Sequence, residues 1–167
     1  YIYSGPILLQ NRDGDANSYS TIPTNPSFNY PMGTYDLTRA NNRGWLPPYD
    51  EVYKINVLRF RAYKAGFAPS ETVTQTFMID PLGSTKYDLP ILSLVIDSTD
   101  MFSNETGIYV YGNHPDGNYT QKGIAWERLL NFELFNDEGE LVMEKNVRAR
   151  IHGGGSRSSC KKNIRLY

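Results

Sequence analysis

The chain has one cysteine, Cys160, so no disulfide can close within it, and the reading for Cys160 is a free turn thiol. With only two histidines, His114 and His152, it cannot assemble a standard Cys/His zinc set. No apolar run is long enough to cross a membrane as a helix, and no signal-peptide pattern opens the chain. Starting at Tyr1 without Met, it reads as a mature or excised segment. Internal repeats and low-complexity tracts are absent, and ten Pro and 14 Gly leave little room for long helices. What is plentiful is tyrosine, 13 of them beside 7 Phe and 2 Trp. A tyrosine ring packs on a half-buried strand while its hydroxyl stays wet, so a mainly β chain is expected. Its 167 residues allow one domain or two small ones.

Charge is unevenly spread. The segment from Lys145 to Tyr167 carries seven bases (Lys145, Arg148, Arg150, Arg157, Lys161, Lys162, Arg165) and no acid. The first 144 residues hold the other ten bases and all 18 acids, a net of −8. A positive end on a mildly acidic body favours a local anion site over a nucleic-acid coat, the plainer alternative being a solvated basic face on a hairpin.

Along the chain, a turn at Ser4-Gly5-Pro6 and a short strand are expected first. Residues 10 to 50 are polar and rich in Asn, Pro and Gly, a functional insertion or a loop pinned by Tyr19, Phe28, Tyr30, Tyr35 and Trp45. Asp13, Asp15 and Asn17 alternate like calcium ligands, but Ala16 stands where a glycine is wanted, so a polar turn is the reading. Val57, Arg59 and Arg61 alternate with Leu58, Phe60 and Ala62. A turn at Lys64-Ala65-Gly66 leads to a second strand with Val73, Gln75, Phe77 and Ile79 opposite Thr72, Thr74 and Thr76. A linker is expected at residues 81–88, then a strand "LPILSLVID" buried on both faces. Asp97, Ser98 or Thr99 is expected to cap one helical turn that Gly107 ends, with "GIYVYG" a further strand. "WERLLNFELF" suits either a helix or a strand, and the turn at Glu138-Gly139 favours the strand. Val147, Ala149 and Ile151 point inward and Arg148, Arg150 and His152 outward, and Ile164 and Leu166 oppose Asn163 and Arg165.

Between these last strands lies Gly153-Gly154-Gly155-Ser156-Arg157-Ser158-Ser159. Consecutive N–H groups in a glycine turn can cradle an anion, because no side chain blocks the approach. The P-loop pattern fails, since Cys160 precedes Lys161 and no helix follows. The kinase glycine loop fails strictly, with Ser158 at the last glycine position, although strand, glycine turn and lysine before a returning strand keep its order. A phosphate loop and an ordinary turn both remain open on pattern alone.

Several separated motifs occur in order: Leu89-Pro90, Asp97, Phe102, Gly107 to Val110, Trp126 to Arg128, Arg150, Gly153, Ser156-Arg157 and Lys161-Lys162. With these, residues 89–167 resemble the start of the CotH (spore coat H-like) atypical protein kinase family. Residues 1–80 are similar to the immunoglobulin-like module at the C-terminus of chitobiases and beta-hexosaminidases. They match it at Tyr3 to Ile7, Trp45 with Pro47-Pro48, Lys54, Val57 to Ala62, Gly66, Ser70 and Thr76-Phe77. The Asp-Gly-Ser-Glu-Pro-Thr opening of that module is missing.

The resemblance implies an immunoglobulin-like sandwich followed by the β-rich N-terminal portion of a kinase-like α+β domain. It implies Lys162 as the nucleotide-phosphate lysine, with Lys161 and Arg165 as second choices. Gly153, Gly154, Gly155 and Ser156 would cover the phosphates, and Arg150 would support them. The full-length protein would use ATP with Mg2+ or Mn2+ to phosphorylate protein Ser/Thr at the cell envelope or outside the cell. The metal-holding acids and acceptor base lie further along in the family, so no catalytic or metal residue is expected here. The alternative is a surface-adhesion module binding cell-surface polysaccharide through Trp45 and Tyr49; a blander one is a spacer and a degenerate kinase-like scaffold.

Overall fold

The computed structural model describes residues 2–25, 48–79 and 88–167. Among them the chain is mainly β, with two antiparallel sheets and little helix. The first sheet pairs β1 (Asn56–Phe60) with β2 (Val73–Phe77), from Asn56↔Phe77 to Phe60↔Val73. This is the strand pair that the alternation predicts. Its connection turns where expected: Gly66 has φ 80°, a conformation glycine adopts without strain, and the Phe67 N–H donates to the Lys64 carbonyl at 3.1 Å. The buried side of β2 is the threonine side, with Thr74 and Thr76 covered and Val73 42% exposed.

The second sheet runs β3 (Ile91–Ile96), β4 (Arg128–Phe135), β5 (Leu141–His152) and β6 (Asn163–Leu166) in that order. The ambiguous "RLLNFELF" segment is a strand. The turn after it closes on Asn136, whose N–H donates to the Glu140 carbonyl at 3.0 Å and whose Oδ1 accepts the Glu140 N–H at 2.7 Å. Gly139 takes φ 82° there. Antiparallel pairing and period two then sort the side chains by face. One face carries Ile96, Leu130, Ala149, Ile151 and Ile164. Ile108 and Tyr119 pack on Ile151, with Met101, Tyr109 and Trp126 around them. Burying one side chain such as Ile151 contributes about 1.5–3 kcal/mol. Arg148, Arg150 and His152 lie on the other face, as the alternation requires.

Four expectations are corrected. β3 is not buried on both faces, since Leu92 is 50% exposed, and among the described residues it lies at one edge of the sheet, with β6 at the other. Asp97 does cap the short helix α1 (Ser98–Phe102), accepting the Thr99 N–H at 2.9 Å, but α1 stops at Ser103 rather than at Gly107. Gly107 closes the next turn, donating to the Ser103 carbonyl at 2.9 Å. Residues 107–112 form no strand. Their backbone bonds go sideways, Ile108 N–H to the Asp100 carbonyl and Tyr109 N–H to the Met101 carbonyl, while the Tyr119 N–H donates to Val110. No strand follows Ser4-Gly5-Pro6 either, and Ile7 and Leu8 are exposed. The linker, apart from Asp88, and the loop aromatics Phe28, Tyr30, Tyr35 and Trp45 lie outside the described residues. Tyr19 stacks on Phe102 at 5.9 Å. No described helix is long and apolar enough to cross a membrane.

The two sheets meet through polar groups. The Glu133 carboxyl group, 1% exposed, accepts the Thr76 N–H at 3.2 Å and bonds the Thr76 hydroxyl, which also lies 2.8 Å from Ser93 Oγ. Buried polar groups left without partners are destabilising, so this knot fixes how β2 sits on β3 and β4. Thr76→Val removes the shared hydroxyl and is expected to destabilise the chain by about 1–3 kcal/mol, measured by urea denaturation.

Candidate functional site: a buried lysine beside a glycine turn

Lys162 begins where β6 is about to start and continues the face of Ile164 and Leu166, so its side chain goes toward the core rather than water. It is 7% exposed. Its ammonium lies 4.8 Å from the Tyr109 ring centre and 4.6 Å from that of Tyr119. It donates to the Ser159 carbonyl at 3.1 Å and to Asn25 Oδ1. The backbone N–H of Lys162 donates to the Tyr109 hydroxyl at 3.0 Å. Among the described residues no carboxylate pairs with the ammonium. Two ring faces and neutral oxygens stabilise a cation less than water and a counter-charge do, so burial lowers its pKa from 10.5 to about 8, against an opposing effect of Cys160.

The glycine turn itself folds into a short 3-10 turn, Gly155–Ser158. Gly153 has φ 122°, and a Cβ there would collide with Ser156 Oγ, so only glycine fits. Gly154 and Gly155 face open space. Arg157 is the residue that ties the turn down. It is 6% exposed, and it donates from Nε to the Gly153 carbonyl at 2.6 Å and from Nη1 to the Gln121 carbonyl at 2.8 Å. Asn25 closes the other side: its Nδ2 donates to the Ser158 carbonyl at 2.7 Å.

The residues singled out from sequence therefore divide. Lys162 meets the glycine turn at Ser159. Lys161, Gly154, Gly155 and Ser156 are exposed on the turn. Arg150 and Arg165 face each other across β5 and β6 on the face away from Lys162, so they do not converge on its ammonium. Arg150 instead pairs with Glu127 at 3.6 Å and lies 4.9 Å from the Tyr167 ring centre. His152, on that same face, has its pKa lowered by partial desolvation and then by Arg165, Arg157 and Arg150. Tyr49 is fully exposed, and Trp45 lies outside the described residues.

Sequence reasoning missed Asn25, Tyr109, Tyr119 and the structural role of Arg157. Tyr109 and Tyr119 have no distinguishing signal among 13 tyrosines. Asn25 comes from 137 residues away. Asn118-Tyr119-Thr120 has the Asn-x-Thr spacing of a glycosylation acceptor, but the Asn118 side chain is taken up in the fold. It is 2% exposed, with its Nδ2 spent on the Asn104 and Gly107 carbonyls, both at 3.0 Å, and so closed to modification in the folded chain. In comparisons with protein-family models, curated proteins and solved structures, nothing matches the chain.

Folded Lys162 holds its proton less tightly than the unfolded chain does. Between about pH 8 and 10.5 the unfolded state binds more protons, so this site makes stability rise with pH across that window. Lys162→Met is expected to remove that rise and to be the more stable protein near neutral pH, where the wild-type chain buries a cation. Urea titrations of both proteins across the window check this.

Proposed function

We propose that residues 89–167 are the first part of a CotH-like kinase domain in which Lys162 and the turn Gly153–Ser156 receive the phosphates of ATP. Residues 1–80 precede it as an immunoglobulin-like spacer of the chitobiase C-terminal type. The observation that carries this reading is the Lys162 ammonium, buried next to a glycine turn with no carboxylate partner among the described residues. A compact cation without a counter-charge suits phosphate oxygens. The open backbone of Gly154 and Gly155 lets an anion approach N–H groups directly. Lys161, exposed on the same turn, adds long-range attraction. Asn25 stands against this ammonium, so nucleotide and Asn25 compete for it.

The full-length protein would bind ATP with Mg2+ or Mn2+ and phosphorylate protein Ser/Thr at the cell envelope. Among the described residues no group of three or more His, Cys, Asp or Glu could hold a metal ion, and under this reading the metal-holding acids belong to later residues of a longer protein. A second reading, a non-catalytic polysaccharide-binding surface, is favoured by one observation, the complete exposure of Tyr49. A glycan array probed with the chain and with Tyr49→Ala separates the two.

Two outcomes are expected. The 167-residue chain transfers no phosphate from radiolabelled ATP with Mg2+ or Mn2+, and robust transfer would show the catalytic acids to be misassigned. In titrations with a fluorescent ATP analogue, Asn25→Gly tightens binding several-fold by freeing the ammonium, and Lys162→Met abolishes it. Unchanged binding in Lys162→Met would sink the assignment.

A further inference from the structure

The face of β5 and β6 turned away from Lys162 gathers a second set of cations, independent of the kinase reading. Arg150 and Arg165 stand directly across from each other in the register and share this face. His152 lies two residues beyond Arg150 on the same strand and is diagonal to Arg165. Like charges placed directly opposite on paired strands destabilise the pair. Arg157 adds a third guanidinium from the glycine turn. It acts on His152, and Arg150 acts on it. Its place is fixed, because the Gly153 and Gln121 carbonyls hold it.

Counter-charge is scarce on this face. Arg150 Nη1 lies 3.6 Å from Glu127 Oε1, the one ion pair in the cluster among the described residues. The Arg165 side chain is exposed and has no hydrogen bond, ion pair or ring contact among them. Burial first, and then Arg165, Arg157 and Arg150, lower the pKa of His152 and favour its neutral form. Three guanidiniums against one carboxylate then leave a net charge of +2. A single carboxylate would neutralise only half of it. A tetrahedral dianion neutralises all of it, and its oxygens can meet groups on two strands from different directions. Asn163, Glu127 and Tyr167 bound the patch, so it suits one compact group rather than a polyanionic chain. The Arg150 side chain is 20% exposed and His152 is half-buried, so solvent screens the attraction less than on an open surface.

We propose that this face of β5 and β6 binds a tetrahedral dianion, a sulfate or phosphate group, between Arg150 and Arg165 with His152 beside it. Sulfate stays a dianion from pH 5 to pH 8, so any pH dependence of its binding belongs to the protein. The chain has two histidines, and NMR follows His152 with His114 as the internal control. In the 167-residue chain at constant ionic strength, sulfate is expected to raise the His152 pKa by about one unit and leave that of His114 unchanged. By linkage, sulfate then binds about tenfold more tightly at pH 5 than at pH 8. Arg165→Gln, a change at an exposed side chain, is expected to weaken binding about tenfold. His152→Gln removes the pH dependence, and Lys162→Met changes neither, which separates this site from the nucleotide reading. A phosphoserine peptide that binds more tightly than sulfate assigns the group to a modified protein, and equal affinity assigns it to the free ion. An unmoved His152, equal shifts at His114, or an unaltered response in Arg165→Gln would each overturn the proposal.

Discussion

Everything in the larger sheet follows from one constraint: side chains on β4, β5 and β6 alternate between two faces that meet different surroundings. One face meets Ile108, Tyr109 and Tyr119; it is mostly apolar, with Arg128 and Lys145 on it and Lys162 entering it. The other carries Ser93, Asn131 and Glu133, with Glu133 and Ser93 reaching Thr76 of β2, and Arg150 and Arg165 further along. A shift of register by one residue would exchange the two sets, expose Ile151 and bury Arg150. The depth of Ile151 and the matched pairs Ile151↔Ile164 and Arg150↔Arg165 hold the register in place.

Lys162 is sent inward by this arrangement and, unlike Arg128, which pairs with Asp100 at 3.5 Å, meets no carboxylate among the described residues. Its four-carbon stem packs with the aromatic rings, while the ammonium is stabilised by ring faces, a carbonyl and an amide oxygen instead of water. The shift of its pKa to about 8 measures how incomplete that replacement is. A buried charge without a counter-charge is a poor stabilising device, since a well-packed apolar side chain does better in such a place. It is a good device for receiving an anion, because most of the desolvation has already occurred before the anion arrives. Arg157 has a different role. Its guanidinium is spent on two carbonyls, which makes it a tie for the glycine turn rather than a free charge.

The sheets are joined by polar chemistry where an apolar layer is the commoner solution. The knot of Thr76, Ser93 and Glu133 is satisfied, while Asn131, two residues along β4 from Glu133, has an unsatisfied oxygen. The contrast lies within one face of one strand. Satisfied groups there specify how the sheets dock.

Much of the strand pattern was legible in the chain itself. Val147, Ala149 and Ile151 alternate with Arg148, Arg150 and His152 because a strand has period two, and the burial of β5 near its end follows that alternation. The turns at Gly66 and Gly139 and the Asp97 cap were legible because each depends on local backbone chemistry. Less could be read where partners are distant. Continuous apolarity made "LPILSLVID" look doubly buried, but its position at the edge of the sheet is a matter of strand order. "GIYVYG" has strand-like residues, yet its backbone bonds are taken up by Asp100, Met101 and Tyr119, which no local pattern announces. The candidate site divides in the same way. The sequence by itself determined a basic glycine turn between two alternating strands, since composition and period suffice for that. Only the tertiary structure decided that Lys162 turns inward to Tyr109, Tyr119 and Asn25 while Arg150 and Arg165 turn away, because those directions depend on register and on residues far apart in the chain.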